Sequence, residues 1–366
     1  MSIIQFSFFP FQFLYQSVNI IFMKDLNYRD FVEGFDKLEK RVPLYGQIEL
    51  TYRCPCDCIH CYCRNQPKNE LDPSFWKEII DQVHAQGGME LTFTGGDPFV
   101  YPDFSEVYRY ARNKGFLINI FTSGCVMSGK ILDLLEEFPP LNIEITLNSL
   151  NKTNYERITR TKGLFDSVMC NIREIKKRGL PLVLKCNGLK ENKDEILKIK
   201  KFTEELLGKG KFKFDSFVFP GLNGEDDPKL HRLEPEEIVD IEAGDDDMTA
   251  QRKAGLDHQS HWFNPNGLYH CNSWFNRYFI SPQGILQPCH LTKNCSTDLK
   301  KEPFAKGFDS FLGLLDIKYK SDSKCIACEL KESCYKCPAR AFLETGSTEA
   351  PVEYYCRLAE ERKNGI

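Results

Sequence analysis

The sequence predicts an α/β fold: a partial (β/α)6 barrel followed by a small cysteine-rich α+β region. Three observations carry this reading. Between residues 47 and about 220, short apolar runs alternate with helical patterns six times, the mark of a parallel sheet with crossover helices. The repetition stops short of the eight units that close a full barrel. Residues 269–366 then lose the alternation and become dense in cysteine.

Residues 47–52 read as the first strand. Asp72 stands as an N-cap before a helix running through Gln86. Residues 89–94 form a strand and 103–114 a helix, closed by Gly115 at the C-terminal cap. A strand over 116–121 and a short helix over 129–137 follow, then a strand over 142–147. Leu164, Val168, Ile172 and Ile175 recur at helical spacing. Residues 182–185 form the fifth strand, Ile196, Ile199, Phe202 and Leu206 mark a helix, and 212–219 make the sixth strand. Residues 221–268 are acidic, with Glu225-Asp226-Asp227-Pro228 and Asp245-Asp246-Asp247, and read as a loop-like bridge with one helix near 234–242. The expected organisation is an extension over 1–46, a barrel over 47–220, the bridge over 221–268 and a second domain over 269–366.

The first 22 residues hold no charge from Ile3 to Phe22. They lack the positive flank and small-residue cleavage site of a signal peptide. Gln5, Pro10, Gln12, Gln16 and Asn19 make a poor membrane span. Met23 follows at once, so a mis-assigned start is the expectation, ahead of a packing segment or an anchor. The composition of the 366 residues, 42% hydrophobic and 27% charged, is that of a soluble globular protein. A net charge of −4 argues against nucleic acid as the partner.

Cysteine is the informative residue. Of 16 in the chain, five lie within 54–63 and eight within 271–356. Pairs two or three residues apart suit metal or iron–sulfur ligation better than disulfides, and imply a reducing, cytosolic setting. In the first group Cys54, Cys58 and Cys61 have C-x3-C-x2-C spacing in the loop after the first strand; Cys56 and Cys63 are extra. Three ligands to a cubic cluster leave one iron open for a chelating ligand, although spacing alone also allows a four-cysteine zinc knuckle. At the end of the second strand stands Thr94-Gly95-Gly96-Asp97-Pro98, where paired glycines let backbone approach a ligand.

These two motifs, in this order and on these elements, resemble the radical S-adenosylmethionine (AdoMet) superfamily, with Asp97 where glutamate is commoner. The resemblance implies that Cys54, Cys58 and Cys61 hold a 4Fe–4S cluster whose open iron is chelated by AdoMet. His60 would lie near the adenine, and the backbone of Gly95, Gly96 and Asp97 would receive the methionine ammonium. Ser123, in Thr122-Ser123-Gly124, and Asn148, with Thr146 and Ser149, end the third and fourth strands where ligand contacts are usual. Arg160 matches a position that pairs with the AdoMet carboxylate, and Asn187 ends the fifth strand.

The second group reads Cys271, Gly284, Cys289, then Cys325-x2-Cys328-x5-Cys334-x2-Cys337, and finally Cys356. It resembles the seven-cysteine SPASM domain that binds auxiliary clusters in peptide-modifying radical enzymes. That family has three residues between its fifth and sixth cysteines, where this chain has two, and Tyr335-Lys336 stands where a Gly-Gly step is common. The resemblance implies one distal cluster on Cys325, Cys328, Cys334 and Cys356, and a nearer one on Cys271, Cys289 and Cys337. Cys295 or an open iron would complete the nearer one. Cys125, Cys170 and Cys186 read as buried small hydrophobes, and His270 and His290 flank ligand cysteines.

The implied function is a maturase that acts on a ribosomally made precursor peptide. The outcome would be a thioether or carbon–carbon crosslink, epimerisation or backbone excision. A separate leader-peptide-binding protein and a ferredoxin or flavodoxin donor are the expected partners. A formylglycine-forming sulfatase-maturing enzyme, a tetrapyrrole side-chain enzyme and a non-enzymatic zinc scaffold are the rival readings.

Overall fold

The apolar and polar residues of each strand alternate, and the alternation builds the whole barrel. In β1 (Tyr45–Thr51), Ile48 and Leu50 point one way, and Gln47, Glu49 and Thr51 the other. β2 (Glu90–Gly95) does the same with Leu91 and Phe93 against Thr92 and Thr94. β3 (Leu117–Thr122) sets Ile118 and Ile120 against Asn119 and Phe121. β4 (Asn142–Thr146) sets Ile143 and Ile145 against Glu144. In β5 (Leu182–Asn187) and β6 (Phe212–Asp215) the odd residues are Lys185, and Lys213 with Asp215.

The apolar face is covered by helices: α1 (Pro73–Ala85), α2 (Phe104–Asn113), α3 (Gly129–Glu137), α4 (Lys152–Thr159), α5 (Phe165–Lys177) and α6 (Ile196–Leu207). Trp76, Ile79, Ile80, Val107, Ile172, Ile175, Ile196 and Ile199 are buried with the strand residues in one core. Each such side chain contributes about 1.5–3 kcal/mol through its burial. The other face of the sheet is left polar, which a parallel sheet covered on both faces would not be.

The structure, a computed structural model, describes residues 41–260, 267–269, 271–330, 334 and 336–365. The expectations for residues 1–22 and for His270 lie outside the described residues. The six strands pair in parallel in sequence order, so the predicted α/β fold with a largely parallel sheet is what the chain adopts. The sheet does not stop there. β7 (Arg277–Ile280) pairs in parallel with β1, and β8 (Ile285–Gln287) and β9 (Thr297–Asp298) extend it antiparallel. The order is β6-β5-β4-β3-β2-β1-β7-β8-β9, so residues of the cysteine-rich region form one edge of the barrel sheet.

Four sequence readings change. Helix α4 was not expected; Asn151 caps it by accepting from the Asn154 amide at 3.0 Å, and its apolar content is small. The sixth strand ends at Asp215 rather than 219, because the Asp215 carboxylate accepts from the Phe217 amide at 3.1 Å and turns the chain. The bridge holds two helices, α7 (Pro235–Ala243) and α8 (Asp246–Ser260). Asp245 caps the second by accepting from the Met248 amide at 3.0 Å, so the acidic triplet is a helix start rather than a loop. Cys170 is exposed on α5, since Val168, Met169, Ile172 and Ile175 take the inner face.

After β9, α9 (Phe304–Ser310) buries Phe304 and Phe308 against Tyr278. The chain ends in α10 (Pro338–Thr345) and α11 (Glu353–Asn364). These helices are tied back to the bridge by two buried ion pairs, Arg232–Glu344 at 2.7 Å and Arg362–Glu242 at 2.5 Å. Among the described residues no helix is long and apolar enough to cross a membrane.

Candidate functional site

The first cysteine loop is pinned on both sides. Where β1 ends, the Thr51 hydroxyl accepts from the Arg53 amide at 2.9 Å, and the Arg53 guanidinium grips Glu70 at 2.7 and 2.8 Å and the Val100 carbonyl at 2.9 Å. Further along, the amides of Asp57 and Ile59 donate to the carbonyls of Thr159 and Ile158, each at 3.0 Å. Those carbonyls end α4, and that of Thr159 accepts from the Thr161 hydroxyl as well, at 3.0 Å. The Cys61 amide donates to the Cys58 carbonyl at 3.1 Å and closes a tight turn.

Within this loop Cys54, Cys58 and Cys61 are partly exposed, whereas Cys63 is buried. The Cys56 sulfur lies 3.5 Å from that of Cys125, which is 3.5 Å from the Tyr155 hydroxyl. Cys125 is buried as expected, but its contact with Cys56 was not legible in the sequence. The neighbouring Cys63 thiol, and less strongly Arg64, hold Cys61 below the ordinary thiol range despite its burial. A thiolate is the form that ligates metal. A donor set of three accessible thiols on one fixed turn fits a cluster with one open iron.

The glycines at the end of β2 serve an approach between strands. A Cβ on Gly95 would sit 2.1 Å from the Thr51 carbonyl oxygen, and Gly95 has φ +136°. A Cβ on Gly96 would sit 2.3 Å from the Arg53 carbonyl oxygen. The sequence reading gave these glycines to a ligand; the structure presses them against β1. The amides of Gly96 and Asp97 donate to Thr51 and Arg53 at 2.8 and 2.9 Å. The Asp97 carboxylate is buried and accepts from Phe99 N at 3.1 Å, Thr122 Oγ1 at 2.8 Å, Ser123 N at 2.9 Å and Ser123 Oγ at 2.5 Å. The Ser123 hydroxyl thus ties β3 to β2.

His60 and Asn148 meet: Asn148 Nδ2 is 3.4 Å from His60 Nε2, while Asn148 Oδ1 accepts from the Asn187 amide at 2.8 Å. Burial, with Lys185 and His231 adding to it, pushes the His60 imidazole down to about 4, so it is neutral. Arg160 stands in the left-handed region at φ 51°, just past α4, with its guanidinium 4.0 Å from Asp57 of the cysteine loop. The Ser149 hydroxyl is turned away, donating to Glu195 at 2.8 Å.

The polar face of the sheet adds residues that the sequence reading passed over. Lys185 and Asp215 form an ion pair at 2.9 Å, with side chains 26% and 31% exposed. Both act on the charge state of His60 and of His290, which burial and then Arg340 push down to about 4. The His290 ring lies 5.3 Å from that of Tyr62, whose hydroxyl donates to Glu49 at 2.7 Å. Burial pushes the Glu49 carboxyl up to about 7 against the pull of Tyr62 and Tyr52. The signal was present as charged residues alternating with apolar ones in Ile48-Glu49-Leu50, Leu184-Lys185-Cys186 and Phe214-Asp215.

The C-terminal cysteines sort into two sets. Burial first, then the nearby thiols of Cys356, Cys325 and Cys328, raise Cys334 to about 11. Burial, then Cys337 and Cys271, raise Cys289 to about 11. Cys337, Cys289 and Cys295 all act on Tyr269. Among the described residues no three His, Cys, Asp or Glu side chains converge as around a single ion. A cubane asks for a wider arrangement, one thiolate to each of its four irons, and the donor chemistry of both sets fits that group.

Residues 48–203 match the sequence model of the Radical SAM superfamily. The AdoMet-dependent heme synthase of Methanosarcina barkeri is 23% identical over 333 residues, 84% of this chain and 94% of that protein. The PqqA peptide cyclase of Ruegeria pomeroyi is 33% identical over 157 residues, 42% of each chain. Among solved structures, Streptococcus suis SuiB bound to its precursor peptide SuiA superposes with a TM-score of 0.68 at 16% identity, covering 92% of this chain and 82% of SuiB. The enzyme anSMEcpe, with bound AdoMet and the Cp18Cys peptide, gives 0.65 at 14% identity, covering 88% and 96%.

Proposed function

We propose, from the premise that this chain carries a radical SAM domain and is an enzyme of that superfamily, that it modifies a ribosomally made precursor peptide. The cofactors of the superfamily are a 4Fe–4S cluster and AdoMet, and on the ligand set Cys54, Cys58 and Cys61 they would supply a 5′-deoxyadenosyl radical here. The observation that carries the peptide reading is the joining of β1 to β7: a single sheet supports both the first cysteine loop and the Cys289 set. Likeness to the PqqA peptide cyclase supports it further.

This chain's residues then divide the work. The backbone of Gly95, Gly96 and Asp97 would receive the methionine ammonium, and His60, held by Asn148, would lie near the adenine as a neutral ring. Arg160 and Asp57 frame the mouth of the loop. Closing a crosslink removes a hydrogen atom, a proton and an electron from the substrate. Glu49, buried against Tyr62 and Tyr52, would take the proton. The two C-terminal cysteine sets would hold auxiliary clusters, which would supply the electron's route to a ferredoxin or flavodoxin.

The test incubates anaerobically reconstituted protein with dithionite, AdoMet and a short peptide encoded beside its gene. A peptide lighter by two hydrogens, with matching 5′-deoxyadenosine, is expected for a crosslink. A second reading, action on a tetrapyrrole, is favoured by the heme synthase likeness along 84% of the chain. Turnover of a tetrapyrrole with no change in any peptide would replace the first reading with the second.

A further inference from the structure

Lys336 lies between the last two cysteines of the C-x2-C-x5-C-x2-C run, and only 7% of it is exposed. Its ammonium sits 3.4 Å from Cys325 Sγ and 3.1 Å from the Glu349 carbonyl oxygen, 5.7 Å from the centre of the Tyr319 ring. Its own amide donates to Cys334 Sγ at 3.4 Å. Among the described residues no carboxylate pairs with it. A buried ammonium is costly unless it faces negative charge, and here the negative charge on offer is cysteine sulfur. One residue therefore touches two of the four cysteines in this set.

We propose that Lys336 tunes the distal auxiliary cluster, raising the reduction potential of a cluster held by Cys325, Cys328, Cys334 and Cys356. The inference rests on the ligand set read above. One-electron reduction adds negative charge to a site that already holds four thiolates, and no bond forms or breaks. A fixed ammonium beside one sulfur and an amide on another stabilise the reduced form more than the oxidised one. The electron comes from a one-electron reductant, dithionite in the assay.

The experiment is a redox titration of the anaerobically reconstituted full chain, followed by electron paramagnetic resonance. The signal of the distal cluster is identified by its loss in the Cys325→Ala, Cys328→Ala double variant. Lys336→Met should lower the reduced-to-oxidised ratio of that signal about tenfold at fixed poise, a shift of about 59 mV to more negative potential for a one-electron couple. Lys336→Arg should stay at the wild-type potential, and both variants should keep full iron. Full iron with an unchanged potential in Lys336→Met overturns the proposal. So does loss of that cluster's iron in both lysine variants, which would make the residue one of assembly. If the double cysteine variant keeps every signal, the ligand set itself fails, and the lysine variants are not needed to see it.

Discussion

Replacing Asp97 should loosen the joint between β2 and β3, and the structure sets how much. The buried carboxylate accepts four hydrogen bonds, two from hydroxyls and two from backbone amides. The hydroxyls of Thr122 and Ser123 can rotate to other acceptors. The amides of Phe99 and Ser123 cannot, and each buried N–H left unpaired costs about 1–3 kcal/mol. Asp97→Ala should therefore destabilise the protein by about 2–6 kcal/mol. Asp97→Asn can keep its oxygen toward Thr122 and Ser123, leaving only the Phe99 amide facing another donor, for about 1–3 kcal/mol. Asp97→Glu, the residue commoner in the superfamily, keeps the charge but pushes one more methylene into a filled site, again about 1–3 kcal/mol. Urea unfolding of the reconstituted protein measures the order, with alanine lowest. 5′-Deoxyadenosine release should show a raised KM for AdoMet in the alanine variant, because the Gly95–Gly96 turn loses its anchor. An alanine variant that unfolds and cleaves AdoMet like the wild type would refute the reasoning.

Alanine at Cys54, Cys58 or Cys61 should abolish reductive AdoMet cleavage, whereas alanine at Cys56 or Cys63 should leave it above half; an inactive Cys56→Ala beside an active Cys58→Ala would mean a different ligand set. Glu49 is raised from 4.5 to about 7 in the folded protein, so folding binds its proton more tightly. That contribution is whole below about pH 4.5 and is lost as pH rises through about 7, about 3 kcal/mol for a displacement of this size. Glu49→Gln should flatten this fall in urea midpoint, and an unaltered pH profile would sink the assignment. Arg232→Met strands the Glu344 carboxylate, whose side chain is 6% exposed. It should cost about 3–5 kcal/mol, and the further change Glu344→Gln should recover part of it. A loss below about 1 kcal/mol would mean the pair is not buried in solution.

Most of the barrel was legible because helices and strands there carry unambiguous periods. Ile118 and Ile120, or Ile172 and Ile175, leave little choice of face. Helix α4 escaped because its stability comes from the Asn151 cap and from the cysteine loop docked on its last carbonyls, a contact far apart in sequence. The acidic triplet at 245–247 misled because aspartate is as much a helix starter as a loop former. The two cysteine groups, at 54–63 and 271–356, stood out in the sequence by their spacing, and so did their likeness to known motifs. The Lys185–Asp215 pair, Glu49 and the Cys56–Cys125 contact could not be placed, since each depends on which strands lie side by side. The extension of the sheet through β7 was equally hidden, because a four-residue strand carries no period of its own.

That extension has a consequence in time. β1 is hydrogen-bonded along one side to β2 and along the other to β7, with Tyr45 opposite Arg277. Those two residues are 232 positions apart in the chain, so at a synthesis rate of about 5–20 residues per second β1 waits roughly 10–50 s for its second neighbour. Through that interval the strand leading into Cys54 shows an open row of amides and carbonyls, the kind of edge on which nascent chains pair with one another. The first strand among the described residues is among the last completed, and any break in the chain before Arg277 leaves that seam open.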